Sequence, residues 1–111
     1  MPRGDIVLVD LPASSGHEQS GQRPALIVHS DQSNSLMMVM LIPMTSNQAA
    51  IRFDHTIAVQ PSSLNGLSQP SIIMIFQLRA LDRNRIRRTI GRLESEIMDL
   101  VDSELKNLLG I

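Results

Sequence analysis

A chain of 111 residues, 42% of them apolar and with a net charge of −1, fits a single domain with one modest core. It contains no cysteine, which excludes a disulfide framework and a thiolate metal site. No apolar run approaches the roughly 18 residues of a membrane span, and "MPRGDIVLVD" lacks the apolar core of a signal peptide, so a cytoplasmic protein is expected.

In chain order, "DIVLVDLP" (5–12) is β-branched, short and ended by proline, and predicts a strand. "ASSGHEQSGQRP" (13–24) is small and polar with two glycines and predicts a loop, and "ALIVHS" (25–30) a second strand. "DQSNS" (31–35) carries turn and cap residues that suit one short helical turn. "LMMVMLIPM" (36–44) predicts a central strand buried on both sides and stopped by Pro43, with its methionines as adaptable core filler. "TIAVQ" (56–60) predicts a short strand, "PSSLNGLSQP" (61–70) turns, and "SIIMIFQ" (71–77) a fifth strand. "RALD" (79–82) and "RIRRTIGRL" (85–93) follow closely, and Ile86 and Ile90 fit either a strand face or a helical face. Leu93, Ile97, Leu100, Val101, Leu105, Leu108 and Leu109 recur at helical spacing and predict a C-terminal helix with one apolar stripe, ended by Gly110. The sum is one mainly β (α+β) domain over residues 1–111: a small closed or partly closed barrel of five to six strands with a C-terminal helix.

The near-neutral total hides a polar distribution. Residues 79–92 hold six Arg against one Asp, and residues 94–104 hold five acids and no base. These are either two solvated faces or a basic surface turned to a polyanion. Phe53 and Phe76 are the sole aromatic residues, so a bound nucleic acid would be held mainly by Arg, amides and backbone.

Three short segments offer chemistry. Arg23 precedes Pro24, which biases its backbone to an extended form at the mouth of a strand. Its planar fork of donors suits a phosphate, and pairing with a nearby acid such as Glu18 suits it equally. In the same loop, His17 can exchange a proton near neutral pH or simply be solvated. Thr45 and Ser46 offer hydroxyls where the long apolar strand surfaces, a place where turn formation is also routine. In "FQLRALD" (76–82), Gln77 could point an amide into a cleft, and Arg79 and Asp82 could pair with each other. His17, His29 and His55 are scattered without metal-ligand spacing, so neither a metal nor a cofactor is expected.

Taken in order, "RGDIVLVDLP", "GHEQSGQRPALIV", "IPMTS", "NGL" and "PSIIMIFQLRALD" resemble the MazF/PemK family of toxin endoribonucleases over almost the whole chain. The resemblance implies an SH3-like barrel with a C-terminal helix, usually a homodimer. It also implies metal-independent, sequence-selective cleavage of single-stranded RNA, by attack of the 2′-hydroxyl to leave a cyclic phosphate and a 5′-hydroxyl. On the same resemblance the protein partner is a MazE-like antitoxin with a flexible acidic and apolar tail, and no membrane is involved. Arg23 matches the family's "RP" arginine and Thr45 its strand-end threonine. His17 matches the histidine of the PemK/Kid branch and joins them as a catalytic candidate. Glu18, Gln19, Ser46, Gln77 and Arg79 fall along the implied RNA path.

The departure lies at Met74 and Phe76, where the PemK/Kid branch carries an Arg and an Asp in acid and base roles. Neither side chain present here transfers a proton. Two alternatives follow: a catalytically silent module that binds RNA or antitoxin, and, by fold analogy alone, a gyrase poison of the CcdB type.

Overall fold

A computed structural model describes residues 2–12, 21–31 and 37–111. They form seven strands and one helix. Strand β1 (Asp5–Leu11) lies between β2 (Gly21–Ile27) and β7 (Ile86–Arg92), antiparallel to both. Strand β3 (Met38–Thr45) pairs with β2 along one edge. β5 (Ser71–Met74) and β6 (Arg79–Asp82) also pair with β3, and β4 (Thr56–Val59) pairs with β5. The sheet order is therefore β4-β5-β3-β2-β1-β7, with β6 beside β3. The two outer ends approach each other where the Arg92 amide donates to the Leu64 carbonyl at 2.9 Å. The result is a curled sheet without a continuous closing ladder, within the expected fold class.

Four boundaries differ from those expected. β2 starts at Gly21 rather than Ala25, so Gln22 and Arg23 are strand residues. Pro24 tolerates this because its fixed φ is compatible with extended backbone and its ring pushes Arg23 the same way. β3 continues through Pro43, which pairs with Ala25, to Thr45. The strand is not buried on both sides throughout: Met37, Met38 and Met40 are exposed, and of this methionine run only Met44 is core. "SIIMIFQLRALD" is interrupted by a 3-10 turn at Ile75–Gln77. β3 pairs Met44 with Ile73 but Leu41 with Arg79, a register change of three residues, which is the length of that turn. "RIRRTIGRL" is a strand, which with β6 raises the count to seven.

Helix α1 (Ser95–Leu109) buries Val101 completely and packs Ile97, Met98, Leu105 and Leu108 on the core formed by Ile6, Leu26, Ile42, Ile73 and Leu93. Leu100 and Leu109 are each 55% exposed and lie off the buried stripe, which is narrower than the sequence suggested. Gly110, at φ +73°, ends the helix in a left-handed cap. Arg3 pairs with Asp102, and His55 Nδ1 stands 2.8 Å from Glu104 Oε2, so the segments leading into β1 and β4 are both tied to the helix.

The turn-rich segment before β5 is built around a buried amide. Asn65 Oδ1 accepts from the Ser62 and Leu67 amides at 3.0 Å each, and its Nδ2 donates to the Gln60 carbonyl at 2.9 Å. Glu94, at the head of α1, accepts from Ser62 Oγ at 2.6 Å and from Asn65 Nδ2 at 3.2 Å. The Ser62 hydroxyl holds the Glu94 carboxyl below the usual glutamate range. A carboxyl with a lowered folded pKa adds stability above its unfolded value, and that stability is lost as pH falls through the folded value. Urea titrations at descending pH should therefore show stability declining below the ordinary glutamate range. Ser62→Ala should make that decline shallower, and an unchanged pH dependence would remove this contact from the acid response.

Candidate functional site

The ladder between β2 and β3 runs through Ile27–Leu41, Leu26–Ile42 and Ala25–Pro43. Two residues further along both strands, on the pleat face of Ala25 and Pro43, stand Arg23 and Thr45. Arg79 pairs with Leu41, so it belongs to that same face of the sheet. Register thus assembles three of the expected residues, Arg23, Thr45 and Arg79, from three strands.

Thr45 is buried, and its Oγ1 accepts a hydrogen bond from the Asn47 amide at 3.2 Å. The turn reading of its hydroxyl is therefore correct. The amide fills an acceptor position of the oxygen and leaves the O–H proton to donate elsewhere. Thr45 opens onto a cavity of about 420 Å³ together with Gln77, Arg52, Phe53, Met74 and Phe76. Phe53 and Phe76 are tilted at 54° with ring centroids 5.5 Å apart, and the Arg52 guanidinium lies 4.7 Å over the Phe53 ring. Both aromatic residues of the chain thus share one wall with an arginine plane, an arrangement able to stack a planar ligand. Met74 and Phe76, which stand where the PemK/Kid branch carries its acid and base, make this wall apolar.

Ser46 faces a second cavity, of about 400 Å³, with Arg23, Gln22, Gln69, Ser71 and Arg88. The end of β3 therefore separates the expected residues: Thr45 and Gln77 go to one cavity, Ser46 to the other. Arg23 lines the second and shares its sheet face with Thr45. His17, Glu18 and Gln19 lie outside the described residues.

Arg88 was missed in the sequence. Ile86 opposes Val9 but Arg88 opposes Leu8, so β7 carries one extra residue there. That bulge breaks the alternation that would have set Arg88 beside Ile86, and puts it in a row with Leu8 and Pro24 instead. Its neighbours in the basic run are engaged: Arg87 pairs with Asp10, and Arg92 Nη1 reaches Asp5 Oδ1 at 3.0 Å. The Arg87 guanidinium holds the Asp10 carboxyl below the usual aspartate range. Asp82 accepts from the Asn84 amide at 2.8 Å and caps the short turn before β7.

Family comparison decides what this arrangement belongs to. The family model for the PemK-like, MazF-like toxin of type II toxin–antitoxin systems matches residues 2–109. The chain belongs to this toxin family. Endoribonuclease EndoA of Bacillus subtilis is 29% identical over 109 residues, which span 98% of this chain and 94% of the relative. A crystal structure of MazF from Deinococcus radiodurans superposes with a TM-score of 0.82 at 23% identity, covering 100% of this chain and 97% of that one. A mycobacterial endoribonuclease in complex with its cognate antitoxin gives a TM-score of 0.78 at 19% identity, covering 100% and 96%. For this member of the PemK-like, MazF-like family, the solved structures establish the same fold. Among the described residues, no helix is long and apolar enough to cross a membrane.

Proposed function

We propose that this protein is the toxin of a type II toxin–antitoxin pair and acts as an endoribonuclease on single-stranded RNA, restrained by a cognate antitoxin. The observation that carries this reading is the register of Arg23 and Thr45 on one sheet face, in a chain of the PemK-like, MazF-like family. The name of the EndoA relative supports the activity, and the antitoxin-bound mycobacterial structure supports the partner. The active unit is proposed to be a homodimer.

In the proposed reaction a ribose 2′-hydroxyl attacks the adjacent phosphorus. The P–O5′ bond breaks, leaving a cyclic phosphate and a 5′-hydroxyl. The transition state gathers negative charge on the non-bridging oxygens, where prepositioned donors act most strongly. The Arg23 guanidinium and the Thr45 O–H are those donors. A guanidinium has donors only and does not give up a proton in proteins, so Arg23 does not serve as the base. Met74 and Phe76 cannot move protons either, so carrying the proton from the attacking 2′-hydroxyl to the departing O5′ is assigned to His17 or Glu18. The amides of Gln19 and Gln77, the Ser46 hydroxyl and Arg79 are proposed to hold the strand on either side.

The test is incubation of purified protein with a long single-stranded RNA in EDTA, with both new ends mapped and the rate followed against pH. Expected are discrete cuts with cyclic phosphate and 5′-hydroxyl ends, and a flattened pH profile for His17→Ala. Absence of cleavage in any RNA favours the silent binding module. An unaltered pH profile removes His17 from the proton path.

A further inference from the structure

We propose that the cavity shared by Arg23 and Arg88 is a backbone-phosphate subsite, in which Arg88 binds a phosphate neighbouring the one that is cleaved. This rests on the RNA reading above and deepens it. Three observations converge.

The first is the composition of the walls. The cavity is lined by Arg23 and Arg88, by Gln22 and Gln69, and by Ser46 and Ser71. The Ser71 hydroxyl donates to the Gln69 carbonyl at 2.9 Å, and the Gln22 amide reaches Asp10 at 3.4 Å. The two arginines, the Gln69 amide and the Ser46 hydroxyl are therefore the donors it offers. Among the described residues no Asp, Glu or His lines it. Donors without a carboxylate fit an anion and disfavour a cation. The second is that Arg88 is placed there by a bulge. Regular pairing of β7 would have turned it to the Val9 side of the sheet, whereas the inserted residue aligns it with Leu8, which lines the cavity.

The third is charge balance along β7. Arg87 and Arg92 are matched by Asp10 and Asp5, while Arg88 forms no ion pair among the described residues. An exposed guanidinium facing a donor-lined cavity is available to an anion from outside. The anion most consistent with the position is a further phosphate of the same strand. Thr45 and Ser46 are consecutive and open to the two cavities, so a chain passing over the end of β3 meets both. A phosphodiester backbone carries a charge at every step, whereas an acidic peptide does not. Arg23 and Arg88 stand on strands separated by β1, and both line this cavity.

Fluorescence anisotropy with a fully 2′-O-methylated oligonucleotide, which binds but cannot be cut, tests this at several salt concentrations. The wild type is expected to bind with log K falling linearly in log salt. Arg88→Ala should weaken binding about equally for oligonucleotides of different sequence and lower the slope by about 0.7, the value for one contact to single-stranded nucleic acid. Arg88→Lys should keep most of the slope, since the charge remains. In cleavage assays Arg88→Ala should raise KM with kcat little changed. A wild-type slope retained by Arg88→Ala overturns the subsite while the RNA reading stands. Weaker binding of an acidic peptide by Arg88→Ala, with RNA binding intact, overturns it in favour of a protein partner. If the wild type binds no oligonucleotide, the RNA reading fails and the subsite with it.

Discussion

Replacing Arg23 with alanine should slow RNA cleavage by about 100-fold or more, with the fold intact. Removal of one preorganised donor to a developing oxyanion commonly has an effect of that order. The loss should fall on kcat, because the donor is matched to charge that appears only in the transition state. Arg23→Lys should restore the rate only in part, since an ammonium keeps the charge but not the two-pronged fork. The substitution is tolerable structurally: Arg23 is a half-buried residue near the start of β2, and the next residue, Pro24, keeps it extended. Single-turnover rates on an RNA with a mapped cut site, with circular dichroism as the folding control, measure this. Cleavage at the wild-type rate by Arg23→Ala would take Arg23 off the catalytic list. Its partner across the register, Thr45, would then have no assigned companion.

The largest stability effect is expected at Gly66. This residue has φ +69°, and a Cβ there would lie 1.9 Å from the Ile90 carbonyl oxygen. Gly91, on the facing strand, is equally confined, with its Cβ position 2.2 Å from the Asn65 oxygen. Loop and strand therefore touch backbone to backbone, and neither glycine can be enlarged without separating them. Gly110 is the internal control, at φ +73° with nothing within 4 Å of its Cβ position. Gly110→Ala should lose only the left-handed penalty of about 1–2 kcal/mol. Gly66→Ala should lose that amount and the contact with β7 as well, at least about twice as much in total. Urea midpoints for the two variants decide the matter, and equal losses would show that the loop can yield without disturbing the strand. The same displacement should weaken RNA binding, because Gly66 and Gln69 are part of the wall facing Arg88.

Much of this was legible in the chain. The strands β1, β4 and β5, the turns at 61–70 and the terminal helix announce themselves through local pattern and turn chemistry. Arg23 and Thr45 were identifiable as a pair because the ordered motifs of the family surround them. Some residues were misread for local reasons. The methionines of β3 look like core in a continuous apolar run, yet Met38 and Met40 alternate outward from Val39 and Leu41. Asn65 read as a simple turn signal, but it is a fully buried amide that ties its loop to the head of α1.

By itself, then, the sequence determined the family and the mainly β architecture with its helix, and it singled out Arg23 and Thr45, the two residues proposed to meet a phosphate. Those properties depend on residue type and on spacing along the chain, which a sequence displays directly. The tertiary structure decided how the site is divided. It sent Thr45 and Ser46 to different cavities, gathered Phe53, Phe76 and Arg52 around one, and turned Arg88 into the other. Each of these outcomes depends on which strands are neighbours and on a one-residue insertion in pairing. Period-two alternation fixes only that successive side chains point opposite ways. Which face meets which cavity follows from long-range register, and a single bulge in β7 was enough to move Arg88 across the sheet.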